Sequence, residues 1–166
     1  MTELPVRVLS LWAPWCWAIL HAGKDIENRM RSFPRSFVGE FWLHASLWPG
    51  TRKPLSRGKQ EELIEQFQAA LAMSGKPRDA FPPLTLGDLD GMRGKIVGRV
   101  TVTGYVEESA SPWFVPGSLG LQLTRPHALR EPVSAVGAQG WWFATPDEMQ
   151  QLRDAAKPQQ TQGSSG

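Results

Sequence analysis

Residues 95–106, KIVGRVTVTGYV, form the strongest strand signal in the chain. Ile96, Val100, Val102 and Val106 share one face, while Val97, Thr101, Thr103 and Tyr105 share the other, which is the two-residue period of an extended backbone. Gly98 and Gly104 interrupt the first face. Glycines inside a long strand mark bends or bulges, the device by which a sheet curls toward a barrel. A curled sheet is therefore the starting expectation, and the other elements have to fit around it.

Residues 6–12 are rich in Val and Leu and read as a first strand. Pro14 suits the opening turn of a helix and Gly23 its stop, so a helix is predicted over 14–22. Trp15, Cys16, Ile19 and Leu20 share one arc of it and are its expected core face, with Trp17 and His21 opposite. Residues 38–45 alternate, placing Phe41, Leu43 and Ala45 on one face and Glu40, Trp42 and His44 on the other. After a basic, proline-containing loop at 49–57, Leu63, Ile64, Phe67, Ala70 and Leu71 recur at helical spacing up to Ser74 and Gly75. Thr85 and Asp88 are spaced to cap a short helical turn before Gly91. Residues 118–124 and 141–144 read as further strands, and Thr145, Pro146 and Glu148 open a last helix to about residue 156. The result is an α+β fold: one domain over 1–157, a partly closed β-barrel with inserted and peripheral helices. Residues 158–166 are polar, lack an apolar anchor and are expected to be disordered.

Composition narrows the function. A chain of 166 residues can bury one substantial core, and no apolar stretch approaches the roughly 20 residues that cross a bilayer. A membrane role is not expected. The N-terminus lacks the basic start and long apolar run of a signal peptide, and the lone Cys16 removes an internal disulfide and a cysteine-rich zinc site. A reducing cytoplasm fits. Cys16 has no paired histidine in sequence, so it reads as core and not as a nucleophile. His21, His44 and His127 lack compact ligand spacing, and neither metal nor cofactor is expected.

The net charge of +2 is too small to argue for nucleic acid, but it is uneven. Residues 1–60 carry nine Lys+Arg against four Asp+Glu, and the remainder carries nine against twelve. Such a basic end is either a phosphate-facing surface or an ordinary solvated one. The densest polar run is GKDIENRMR, residues 23–31, directly after the first helix. It holds Lys24, Arg29 and Arg31 as cations, Asp25 and Glu27 as carboxylates, and the Asn28 amide. Trp12 and Trp15 lie just upstream, and His44, Ser46 and Trp48 end the next strand. Trp113 adds an aromatic group from the rigid SPWFVPG loop. Aromatic faces beside cations are what unpaired bases require, because stacking supplies energy while Arg or Lys neutralises phosphate. These ten residues, Trp12, Trp15, Lys24, Asn28, Arg29, Arg31, His44, Ser46, Trp48 and Trp113, are the candidate nucleic-acid-binding set.

The ordered series LSLWAPWCWAIL, AGKDIENR, GEFWLHAS, GKIVGRVTVTGYVEE, SPWF and LTRPHALREPVSAVGAQGWW, spanning residues 9–143, resembles an ASCH domain of the PUA-like superfamily. The family's G-x-K-x-x-x-x-R element corresponds to Ala22 at the first glycine's place, then Lys24 and Arg29, with Glu27 where members carry Glu or Thr. The resemblance implies a small β-barrel with a cleft lined by this element, and RNA or a modified nucleoside as partner. It also implies an alternative, a hydrolase in the same cleft. Some members hydrolyse the amide of N4-acetylcytidine, and others are linked to RNA cleavage. Lys24 would then serve as base, with Glu27, Glu107 or Glu108 as the carboxylate. A plain strand through 24–29 points Lys24 and Glu27 to opposite faces, so they converge only if Gly23 and Lys24 still belong to the turn.

Overall fold

Residues 5–157 are described by the computed structural model; residues 1–4 and the tail at 158–166, the segment expected to be disordered, lie outside the described residues. Strand β1, Arg7–Leu11, runs into helix α1, Ala13–His21, with Pro14 in its first turn. Gly23 adopts φ +75°, and the Lys24 N–H reaches back to the Ala18 carbonyl at 3.1 Å, the bond that closes a helix through a left-handed residue. Strands β2, Ile26–Arg29, and β3, Gly39–Ala45, follow. Helix α2, Arg57–Ser74, is capped by Ser56 and ended by Gly75 at φ +68°. Thr85 and Asp88 form a complete capping box on α3, Leu86–Met92. Strands β4, Lys95–Val106, β5, Leu119–Ser134, and β6, Trp141–Phe143, then lead to α4, Pro146–Ala156, which Thr145 and Glu148 cap in the same way.

Among the described residues, six strands form one mixed sheet in the order β2-β5-β4-β3-β1-β6, curled into a half-barrel. Only β1 and β3 pair in parallel; the other pairs are antiparallel. The curl comes from β4, whose register against β5 shifts at Ile96/Gly98, Arg99/Thr101 and Val102/Gly104. Each shift moves later side chains to the other face, so strict alternation fails as a guide to burial. Ile96 packs with Val8, Val133, Ala135, Ala144 and Leu152 under α4, whereas Val97, Val100 and Val102 join the larger core beneath α1, α2 and α3. The expected grouping of Ile96 with Val100 and Val102 is therefore corrected by a bulge. At Gly98 a Cβ would meet the His127 carbonyl and a Leu20 methyl at 2.6 Å, so glycine allows α1 and β5 to close on β4.

Two further expectations change, one about extent and one about burial. Strand β5 continues ten residues past Thr124, because Arg125, at φ 54°, and Pro126 fall between the Thr101↔Thr124 and Arg99↔His127 pairs. A proline at a bulge removes no ladder bond, which is why this one does not end the strand. Trp17, placed on the outer face of α1 by its wheel, is 3% exposed and meets Phe67 and Phe81 edge-on at 4.9 and 5.3 Å. Helix α1 is covered on both sides, by the sheet and by α2.

The gap in the half-barrel is bridged by side chains. Trp141 of β6 meets Phe33, Phe37 and Phe41 with ring centroids 5.6, 5.1 and 4.9 Å away, tying the segment after β2 to the opposite edge. Among the described residues, no helix is long and apolar enough to cross a membrane.

Candidate nucleic-acid interface

A cavity of about 1220 Å³ opens where the curl brings β2 toward the C-terminal ends of β1 and β3. Of the residues proposed from sequence, Trp12, Asn28, Arg29, His44 and Ser46 line it. Their roles differ. Trp12 is 38% exposed and lies flat against Trp48, with centroids 3.8 Å apart and planes within 10°. That spacing is already van der Waals contact, so a base cannot enter between the two rings and Trp12 offers only its outer face. Arg29 lies over the Phe33 ring at 4.9 Å. Ser46 Oγ is buried and meets no hydrogen-bond partner. Asn28 is committed elsewhere: its Nδ2 donates to the Trp113 carbonyl at 2.8 Å and its Oδ1 accepts from the Val115 N–H at 2.9 Å, pinning the loop beneath.

The remaining candidates lie apart. Arg31 is exposed and donates to the Gly117 carbonyl at 3.2 Å, outside the cavity lining. Lys24, Glu27 and Trp113 form a separate buried knot, with the half-buried Trp15 packed against it. Because Gly23 and Lys24 belong to the turn and β2 starts only at Ile26, Lys24 Nζ and Glu27 Oε2 do converge, to 3.8 Å. Lys24 Nζ also donates to the Ile26 carbonyl and lies 5.4 and 5.7 Å from the Trp15 and Trp113 ring centroids. Lys24 and Trp113 are each 4% exposed, and none of the four lines the cavity. Burial pushes the Lys24 pKa down and the Glu27 pKa up, each partly countered by the partner's charge. Of the other two carboxylates considered, Glu107 faces Arg35 on the surface at 3.2 Å and Glu108 is exposed beside it. Cys16 is fully buried, and burial with the Glu27 charge raises its thiol pKa, keeping it protonated and inert.

Two cavity residues were not legible as such in the sequence. Arg52 reaches the rim from the basic loop, where nothing in its local pattern distinguishes it from Lys53 or Arg57. Ser10 is a hydroxyl in the apolar β1 run, and it stands directly opposite His44 in the parallel β1–β3 register. Its Oγ lies 2.8 Å from His44 Nδ1, while His44 Nε2 lies 3.0 Å from the Ala135 carbonyl. Among the described residues, no three His, Cys, Asp or Glu side chains gather as a metal site.

His44 supplies a pH test. Burial lowers its folded pKa below the ordinary 6.5, so below about pH 6.5 the unfolded chain takes up a proton that the folded chain resists. Its contribution to stability is present above the unfolded value and is lost as pH falls through 6.5 and beyond. Urea titrations between pH 8 and pH 5 are expected to show wild type losing more stability than His44→Gln over that window. Equal losses would remove His44 as the titrating group.

The chain matches no protein-family model, and a search of curated proteins likewise finds no match.

Proposed function

We propose that this is an ASCH-type domain of the PUA-like kind, and that it binds RNA by holding an unpaired nucleotide, or a modified base, in the cavity. The observation that carries this reading is the cavity itself, about 1220 Å³, with the open face of Trp12 and the cations Arg29 and Arg52 on one lining. A ring face for a base and guanidinium groups for phosphate are the complement of a nucleotide. The curled sheet and the order of motifs along the chain support the family assignment.

Binding of labelled single-stranded RNA and DNA, titrated against salt, tests it. Trp12→Ala is expected to weaken binding by about 1–3 kcal/mol, the value of one base–aromatic stack. Arg29→Ala is expected to weaken all sequences alike and to reduce the slope of log K against log salt by about 1. Absence of binding to either polymer at low salt would sink the proposal.

One observation favours a second reading, a hydrolase acting on N4-acetylcytidine or on the RNA strand: the approach of Lys24 to Glu27. Incubation with N4-acetylcytidine and with end-labelled RNA separates the two, since a binding module leaves both intact. In the hydrolase reading Lys24→Ala abolishes turnover, and salt has little effect on the nucleoside reaction.

A further inference from the structure

The polarity of the hydrogen-bond chain through Ser10 is forced from both ends. The Ala135 carbonyl only accepts, so His44 carries its proton on Nε2 and presents the lone pair of Nδ1. Trp142 Nε1–H only donates, and it donates to Ser10 Oγ at 3.1 Å. The Ser10 hydroxyl proton is therefore directed at His44 Nδ1. Ser10 is half-buried, and both it and His44 line the cavity, so the pair opens onto a space where a substrate fits.

The loop facing the pair is shaped around it. A Cβ at Gly137 would fall 2.6 Å from His44 Cε1 and 2.8 Å from both His44 Nδ1 and Ser10 Oγ, so only glycine lets this backbone lie against the two side chains. Gly137 and the following Ala138 line the cavity together with Ser10 and His44, so this backbone forms the wall beside the pair.

We infer that Ser10 is a nucleophile with His44 as its base, and that the cavity cleaves carboxylic esters through an acyl group carried on Ser10 Oγ. Oγ bonds to the acyl carbon as its proton passes to His44 Nδ1, and the ester C–O bond breaks as the departing alcohol takes that proton. Water then gives a proton to His44 and bonds to the acyl carbon, and Oγ leaves with the proton, restoring the pair and releasing the acid. Burial keeps the imidazole neutral at pH 7, so Nδ1 has the lone pair this sequence uses. The step does not depend on RNA being the cavity's ligand, nor on Lys24 and Glu27, which lie outside the lining.

The test is reaction of the whole chain with a fluorophosphonate, followed by peptide mapping, together with release of 4-nitrophenolate from 4-nitrophenyl acetate. One adduct per chain on Ser10 is expected, with no adduct in Ser10→Ala. Labelling and phenolate release should slow about 100-fold in His44→Gln, the scale of a general base. Melting curves identify any variant that does not fold, and in that case the wild-type peptide map decides alone. A folded wild type that takes no phosphonate on Ser10 overturns the inference, and so does labelling that is indifferent to a folded His44→Gln. RNA binding is read separately on wild type, so failure of the esterase and failure of the RNA reading give different patterns.

Discussion

Trp17→Ala is expected to destabilise the protein by about 3–5 kcal/mol, the range for removing a buried aromatic side chain from a packed site. In a chain of 166 residues, a loss of that size lowers the melting temperature by roughly 10 °C. The indole packs edge-on against Phe67 of α2 and Phe81 of the following loop, so truncation leaves a void between three elements. None can move in without dragging the others. His21, on the same arc of α1 but exposed, is the control, and His21→Ala should stay within about 0.5 kcal/mol of wild type. Thermal or urea unfolding of both variants checks the contrast. A Trp17→Ala variant as stable as His21→Ala would mean that α2 does not cover this face.

Lys24→Met is expected to cost about 3 kcal/mol at pH 7, the lower end of what breaking a buried ion pair costs. The reason is Glu27, whose buried carboxylate would lose the charge that lowers its pKa. Its pKa then climbs further, so the folded state takes up a proton more readily than the unfolded one. Sign follows from that. The variant's deficit should shrink as pH falls toward 5 and grow as pH rises through the folded pKa of Glu27. Replacing both partners by apolar groups of similar shape removes the stranded charge, and Lys24→Met/Glu27→Leu should recover most of the loss. Urea denaturation of the two single variants and the double variant at pH 5 and pH 7 measures this. A Lys24→Met protein with wild-type stability would show that Glu27 has another partner in the folded chain.

Local chemistry was readable where a few neighbouring residues decide the outcome. The capping boxes at Thr85 and Thr145 and the glycine stops at Gly23 and Gly75 appear where their residue types place them, because each involves backbone within one turn. Alternation in Phe41, Leu43 and Ala45 gave the buried face of β3 for the same reason. The wheel of α1 misplaced Trp17 because periodicity reports how many faces are apolar only when a single layer covers the helix. Parity in β4 misassigned Ile96 because a bulge adds one residue to one strand, and its position depends on the partner strand.

The polar cluster at residues 23–31 shows the same division. Gly23 determined locally that Lys24 stays in the turn, which is what lets Lys24 meet Glu27 despite the alternation of the strand that follows. Whether that pair faces a ligand or the interior was not local, and only the packing of Trp15 and Trp113 around it made it a closed knot. Ser10 and His44 are 34 residues apart, and nothing in either segment refers to the other. Parallel pairing of β1 with β3 sets them opposite, and the loop at Gly137 closes over them. By itself, then, the sequence determined most of the elements, their local caps and glycine stops, and a basic, tryptophan-rich front half, because those follow from contacts within a few residues. The tertiary structure alone decided which of these groups line one cavity, since that depends on sheet curl and strand order, and both are properties of the chain folded against itself.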